Sequence, residues 1–303
     1  MRAAIRRLVS PVRRYPALFV ALRELFHPGR ALYQHLHFIG PIKVHVSDQA
    51  SFIINHYGYQ VENDLFWTGF GRGWEGAELL LWRALVRSAE FIADVGANTG
   101  VYSLAAGAVN PRARIVAIEP VSRIYERLVA NIALNHFNIC ALQIAASDAN
   151  GEAILFDTEG EPGYSASLDA SMLEGYELIR VPVRAACLDN VFAELGWPRV
   201  DLLKIDVEKH EPAVLAGMQR HLAKDRPTLL IEILNREIGT AISKSLDGNG
   251  YRYFAIYDGR GLIETPALDR SGVRNYLLCA EERWRTFGDA LMNEFLGAHM
   301  THG

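Results

Sequence analysis

Between residues 91 and 278 the chain alternates short apolar runs with longer segments whose apolar positions recur every three or four residues. Runs at 91–95, 114–118, 139–145, 200–205, 228–234, 251–256 and 273–278 predict seven strands, the first a short apolar run ending in glycines, as in a buried parallel sheet. Helices are predicted at 101–109, with Thr99 available as a cap, and from Ser122, which can cap a segment carrying Ile124, Leu128 and Ile132 on one face. Two more fall at 213–222 and around 238–246. The alternation implies an α/β fold, a mostly parallel seven-stranded sheet with helices on both faces. Such sheets take ligands beyond the carboxyl ends of their strands, where the strand order reverses.

Two regions depart from this rhythm. Residues 151–190 hold β-like pieces at 153–156 and 179–183 around a Gly/Ser/Pro-containing loop at 160–167, which reads as an insertion of strands. Upstream, Ile42, Val44 and Val46 alternate with polar residues, and Ser47-Asp48-Gln49 turns the chain into a second run at 52–55. This predicts a small helical and β extension before the main domain. Gly69, Gly71, Gly73 and Gly76 mark a loop, followed by a helical stretch with Leu79, Leu80, Trp82, Leu85 and Val86.

Composition narrows the class. The 303 residues are 50% hydrophobic and 22% charged, enough apolar surface for a large core and too much for wholesale disorder. No run approaches the length of a membrane-spanning helix. The formal charge of −4 argues against a dedicated nucleic-acid binder. Cys140, Cys187 and Cys279 lie far apart without CxxC spacing, giving neither a disulfide framework nor a zinc site, and the cytoplasm is the expected location. The first thirty residues set Arg2, Arg6, Arg7, Arg13, Arg14, Arg23 and Arg30 against Glu24 alone. An organelle transit peptide and an amphipathic helix touching anionic lipid both stay open, while charge patterning by itself favours a solvated helix packed on the domain.

The sharpest chemical signal is Asp94-Val95-Gly96-Ala97-Asn98-Thr99-Gly100, at the end of the first strand of the alternating region. It has neither the G-x-G-x-x-G spacing of a dinucleotide site nor the GK[ST] ending of a phosphate loop, and no lysine or arginine stands in it. An acid precedes it, which suits a ligand with a cationic amino group and no phosphate. Glu119 ends the next strand, where a carboxylate can accept hydrogen bonds from a ribose diol. Asp148 follows the third strand and can accept from an adenine amino group. An adenosine joined to an amino acid without phosphate describes S-adenosyl-L-methionine.

Further pieces stand in a fixed order: Trp74-Glu75, FIADVGANTG at 91–100, AIEP at 117–120, Leu128-x-x-Asn131-x-x-x-Asn135, AASD at 145–148, LDNVF at 188–192, DLLKIDVE at 201–208, and the strand ending at Glu232. In these the chain resembles the FkbM family of S-adenosylmethionine-dependent methyltransferases, from about Trp74 to Leu234. The resemblance implies a Rossmann-like class I methyltransferase fold, with a domain at 74–290 between an N-terminal basic helix and β-element (1–73) and a tail (291–303). It implies cofactor contacts from Asp94, Gly96, Ala97, Asn98 and Gly100 on the methionine side, Glu119 at the ribose and Asp148 at the adenine. It also implies O-methylation of a sugar or secondary-metabolite hydroxyl. One departure is that Lys209 follows Glu208 where the family usually has glycine. If that position needs a positive φ, lysine strains the turn.

An alcohol acceptor needs a base during attack. Candidates cluster after the fourth strand, at Asp206, Glu208, His210 and Glu211, with Asp206, Glu208 and His210 taken as catalytic. His210 suits base work near neutral pH, although helix capping explains it equally well. A metal-assisted route through Asp206, Glu232 and Asn235 is the weaker alternative, and no metal is expected. Asn131 and Asn135 read as helix anchors and Trp74 as packing. Tyr164, Tyr176, Tyr257 and Arg260 are candidates for acceptor contacts from the loops at 158–176 and 257–270. The alternatives to an O-methyltransferase are a cofactor-binding module with impaired catalysis, a nucleotide-dependent oxidoreductase and a membrane-surface protein.

Overall fold

Phe91–Val95 (β3) is buried along its whole length and pairs in parallel with a strand on each side, so the first strand of the alternating region lies in the middle of the sheet. The structure, a computed structural model, describes residues 15–158, 178–258, 261–269 and 272–300. On one side of β3 lie Arg114–Ile118 (β4) and Ile139–Leu142 (β5), on the other Leu202–Ile205 (β9) and Thr228–Glu232 (β10), all parallel. Successive strands run outward from β3 in one direction and then in the other, so the order reverses between β3 and β9. That is the crevice where doubly wound sheets take their ligands.

Three antiparallel strands extend the β10 edge: Asn275–Ala280 (β13), Tyr251–Tyr257 (β11) and Gly261–Thr265 (β12). The main sheet therefore has eight strands among the described residues rather than seven, and the expected loop at 257–270 contains β12. Its sequence, Gly-Leu-Ile-Glu-Thr, alternates too briefly to stand out, and pairing with β11 supplies the missing order. The expected strand at 139–145 divides. β5 stays in the main sheet, while Ala145–Ala146 (β6) joins a three-stranded sheet with Gly151–Thr158 (β7) and Leu178–Ala186 (β8). β7 and β8 form the insertion expected there. Tyr164, Tyr176 and Arg260 lie outside the described residues.

Helices cover both faces: Gly76–Val86, Val101–Val109, Ser122–Ala133, Leu188–Glu194, Glu211–Ala216, Gln219–Lys224, Arg236–Ser245 and Glu281–Met300. Two expected caps are absent. Gly100, at φ 95°, precedes the 101–109 helix, and the Thr99 hydroxyl donates instead to Glu62 Oε1 at 3.2 Å. Ser122 is the first helical residue and its side chain makes no cap bond. The helix expected at 213–222 is two short ones. At the break, a Cβ on Gly217 would lie 2.0 Å from the Ser147 carbonyl oxygen, so the close approach of the β6 end demands glycine. Asn235 caps the 236–245 helix by accepting from Ile238 N at 2.8 Å.

The N-terminal part comprises Pro16–Leu25 (α1), Arg30–Tyr33 (α2), the hairpin Gly40–His45 (β1) with Ser51–His56 (β2), and Gln60–Thr68 (α3). Phe38 ties it together, stacking on Phe19 at 4.8 Å and meeting Phe66 edge-on at 4.8 Å. The sequence predicts no helix at α3, because its buried residues include Glu62, Asn63 and Asp64 and the apolar period is broken. Asn131 and Asn135 are anchors, as expected. Asn131 Oδ1 accepts from Asn55 N at 2.9 Å while its amide donates to the Thr99 carbonyl at 2.8 Å. Asn135 makes a reciprocal pair with the Ile53 backbone, at 2.9 and 2.7 Å. No helix among the described residues is long and apolar enough to cross a membrane.

Candidate active site

The carboxyl ends of β3, β4, β9 and β10 open into a cavity of about 290 Å³. Its first wall is the glycine loop. The amides of Gly96 and Ala97 both donate to the Ile118 carbonyl, at 3.0 and 2.9 Å, folding the loop back over the end of β4. Gly96 sits at φ 81°, and a Cβ there would lie 1.8 Å from the Asp206 carbonyl oxygen. This glycine is fixed by the neighbouring strand end as well as by any ligand. Asn98, at φ 52°, is of the type that tolerates the left-handed region, and its side chain accepts from Thr99 N at 2.8 Å.

Glu119 immediately follows β4 at the floor of this wall, only 5% exposed. Its Oε2 accepts from Asn98 N at 3.1 Å and its Oε1 from Val121 N at 2.9 Å. Burial pushes its carboxyl up to about 7, against the opposing pull of these two amides. Each oxygen retains acceptor capacity beyond its one amide bond. Val121, Ile144, Ala146 and Leu155 continue the wall as an apolar strip.

The second wall carries the charges. The Lys204 ammonium donates to Asp206 Oδ2 at 2.8 Å and lies 4.6 Å from the centre of the Tyr102 ring. The Tyr102 hydroxyl donates to Glu75 Oε2 at 2.6 Å. Burial alone would lower Lys204, but Asp206, Glu75 and Asp94 outweigh it and hold the ammonium charged. Burial raises Glu75 to about 7, with Lys204 pulling the other way. Burial, reinforced by Asp206 and Glu208, raises Glu232 to about 8. Trp74 meets Tyr102 edge-on at 6.3 Å and also faces the cavity, a role beyond the packing expected of it.

The turn after β9 completes the site. Glu208 and Lys209 are both left-handed, at φ 52° and 75°, so lysine does occupy a positive-φ position. His210 precedes the 211–216 helix, with its Nε2 3.0 Å from Ser147 Oγ; burial lowers its pKa while Asp148 opposes. Glu211 points back, accepting from Val207 N at 3.3 Å.

The structure brings Gly96, Ala97, Asn98, Glu119, Asp206, Glu208 and His210 to one cavity. Asp94, Gly100 and Asp148 stand outside its lining. Asp94 is 1% exposed, and its Oδ2 accepts from both the amide and the hydroxyl of Ser103, at 3.0 and 2.7 Å, fixing the 101–109 helix against β3. Gly100 lies where a Cβ would come within 2.7 Å of Leu128 Cδ1. Asp148 is exposed and reaches the site through Ser147, whose hydroxyl lies 3.1 Å from Asp148 Oδ1. Among the described residues, no three His, Cys, Asp or Glu side chains are placed to hold a metal ion. Sequence reasoning missed Lys204 and Tyr102 and gave Glu75 no role. The one usable signal was Lys204 itself, a lone cation in an apolar strand two residues before Asp206 and so on the same face.

The methyltransferase FkbM domain matches residues 94–253, which takes in the glycine loop, Glu119, the turn after β9 and Glu232. The AMB antimetabolite synthetase AmbE of Pseudomonas aeruginosa is 32% identical over 190 residues, covering 51% of this chain and 9% of that protein. Methyltransferase sdnD of Sordaria araneosa is 32% identical over 155 residues, covering 42% of this chain and 60% of that protein. The 31-O-demethyl-FK506 methyltransferase FkbM of Streptomyces tacrolimicus is 31% identical over 163 residues, covering 44% and 61%. The chain thus spans about three fifths of the length of two of these relatives and under a tenth of the other. With the domain match extending over more than half of its length, the chain belongs to the FkbM methyltransferase family.

Proposed function

We propose that this protein transfers a methyl group from S-adenosyl-L-methionine to a hydroxyl oxygen of a small-molecule or glycan acceptor. The observation that carries the reading is the charge of the cavity wall. Glu75, Glu119, Asp206, Glu208 and Glu232 line it against one lysine, Lys204, which is already paired. Such a carboxyl-rich wall disfavours phosphate, and a ligand whose ammonium and sulfonium are positive draws Glu75, Glu119 and Glu232, raised by burial to about 7 or 8, into their ionised form. The residues present fit that cofactor. Glu119 keeps acceptor capacity for a ribose diol, the loop at 96–98 brings bare backbone to the cavity for the amino-acid end, and the Val121–Ile144–Leu155 strip suits a flat base. Asp94, Gly100 and Asp148 support these contacts from behind. The oxygen acceptor draws on the relative whose name specifies a 31-O-demethyl substrate.

When bound, the cofactor supplies an electrophilic methyl carbon with a neutral thioether as leaving group. The protein's part is to position and dehydrate the acceptor and to take its proton. Burial keeps the His210 imidazole neutral near pH 7 and therefore able to accept a proton, and Ser147 fixes the ring. Asp206, held by Lys204, and Glu208 stand beside it to orient the acceptor hydroxyl. Calorimetric titration tests the cofactor site: S-adenosyl-L-methionine should bind, and Glu119→Ala should weaken it by about tenfold or more through loss of charge-assisted bonds. Heat from a nicotinamide dinucleotide, with none from S-adenosyl-L-methionine, would overturn the reading.

A second reading is a cofactor-binding module with impaired turnover, which Lys209 at positive φ favours. Binding without transfer of labelled methyl to any of a panel of hydroxylated acceptors would select it. If the first reading holds, His210→Ala loses turnover while cofactor affinity stays unchanged.

A further inference from the structure

Helix α1 presents the wrong face to water for a helix on the surface of a soluble domain. Pro16, Phe19 and Arg23, spaced i, i+3, i+7, make its contacts with the domain. Pro16 packs where a Cβ on Gly40 would touch it, Phe19 is buried against Phe38, and the Arg23 guanidinium sits 5.2 Å from the centre of the Phe66 ring. Leu18, Ala21, Leu22 and Leu25, spaced i, i+3, i+4, i+7, form a separate apolar stripe. That stripe faces solvent: Leu18 is 54% exposed, Leu25 87%, with Tyr15 at 61% and Phe26 at 48% beyond the two ends. The helix thus turns an arginine inward and its leucines outward.

The sequence before it supplies the complement. Residues 1–14 contain Arg2, Arg6, Arg7, Arg13 and Arg14 and no aspartate or glutamate, although the whole chain carries a net −4. We propose that α1 docks on an anionic membrane surface, its leucine stripe lying in the interface and the five arginines meeting lipid phosphates. An exposed apolar stripe beside a cluster of cations is the arrangement that binds in the plane of a bilayer without crossing it. A second copy of the chain is a poorer occupant. A ten-residue helix is about 15 Å long, and one stripe on it falls far short of the roughly 800 Å² per partner of a stable dimer. It would also leave the arginine cluster uncompensated.

The test is sedimentation of the full chain with vesicles of phosphatidylcholine containing about one-third phosphatidylglycerol, against phosphatidylcholine alone. The anionic vesicles should carry the protein down, less so as salt is raised, and the combined Leu18→Ser, Leu22→Ser and Leu25→Ser variant should lower partitioning by about tenfold or more. Its unfolding midpoint should match the wild type, since these side chains are exposed. Should that variant fold poorly, Arg13→Gln with Arg14→Gln gives a second reading, losing partitioning in low salt. No sedimentation with anionic vesicles, or equal sedimentation of the leucine variant, would overturn the proposal. So would a wild-type dimer on gel filtration that the leucine variant converts to monomer, which would assign the stripe to a second copy.

Discussion

The two loops that meet across the crevice solve the same backbone problem with different residues. After β3 the chain turns through positive φ at Gly96, Asn98 and Gly100, residue types that enter this region readily. After β9 it does so at Glu208 and Lys209, which do not. The loops touch, since the space for a Gly96 side chain is taken by the Asp206 carbonyl. Contact with the better-built loop holds the strained one in place. Under the proposed function, the contrast separates a wall of relaxed backbone that would take the cofactor from a wall that would face the acceptor, in which strain and buried charge are tolerated, as they are at functional sites.

The most severe way to break this arrangement is Gly96→Ala. A methyl group 1.8 Å from a carbonyl oxygen, on a backbone at φ 81°, forces the two strand ends apart. A loss of more than about 3 kcal/mol is expected, seen as a shift of the denaturation midpoint. Lys204→Met comes next, because it strips the cation from a wall that keeps Asp206, Glu75 and Asp94. Removing one partner of a buried pair costs about 3 kcal/mol, and here the deficit should shrink at pH 5 as Glu75, raised by burial to about 7, takes up its proton. A deficit independent of pH would show that Lys204 acts by packing alone.

The relaxed wall was legible in the sequence and the charged wall largely was not, for a physical reason. The glycine loop and Glu119 lie at the ends of adjacent strands whose apolar runs are unmistakable, so local pattern places them. The Lys204 cluster also needs Glu75 and Tyr102, which only tertiary folding brings beside Asp206 and Glu232. Orientation was the other gap: Asp94 is in the right motif, but its side chain turns to Ser103, and Asp148 is exposed one residue from a Ser147 that reaches His210. In α3 three of the six buried positions, Glu62, Asn63 and Asp64, are polar, with Asn63 donating to the Tyr33 carbonyl at 2.8 Å, so hydrophobic periodicity was blind to it.

Buried carboxylates on both walls give the comparison a pH axis. Glu119, Glu75 and Glu211 are raised to about 7 and Glu232 to about 8, from the ordinary glutamate value of about 4.3. Between these limits the folded state holds protons that the unfolded chain has released. Their contribution is therefore fully present below about pH 4.3 and is lost as pH rises through 7 to 8. Denaturation measured at a series of pH values should show stability from these groups falling over that range, with a shallower slope in Glu119→Gln. An identical slope in that variant would mean that Glu119 is ionised in the folded protein throughout.

The smallest effect is the most discriminating. Lys209→Gly removes a side chain from φ 75°, where a non-glycine residue carries a cost of about 1 kcal/mol or more, partly offset by the greater freedom of glycine in the unfolded chain. A net gain of about 0.5–1 kcal/mol is expected, read as a raised unfolding midpoint. Turnover then decides what the strain is for. If lysine merely impairs a methyltransferase, the glycine variant gains methyl transfer together with stability. If the strained turn sets the position of Glu208 and His210 for this protein's own acceptor, the variant gains stability and loses transfer, while cofactor affinity, which rests on the other wall, does not move.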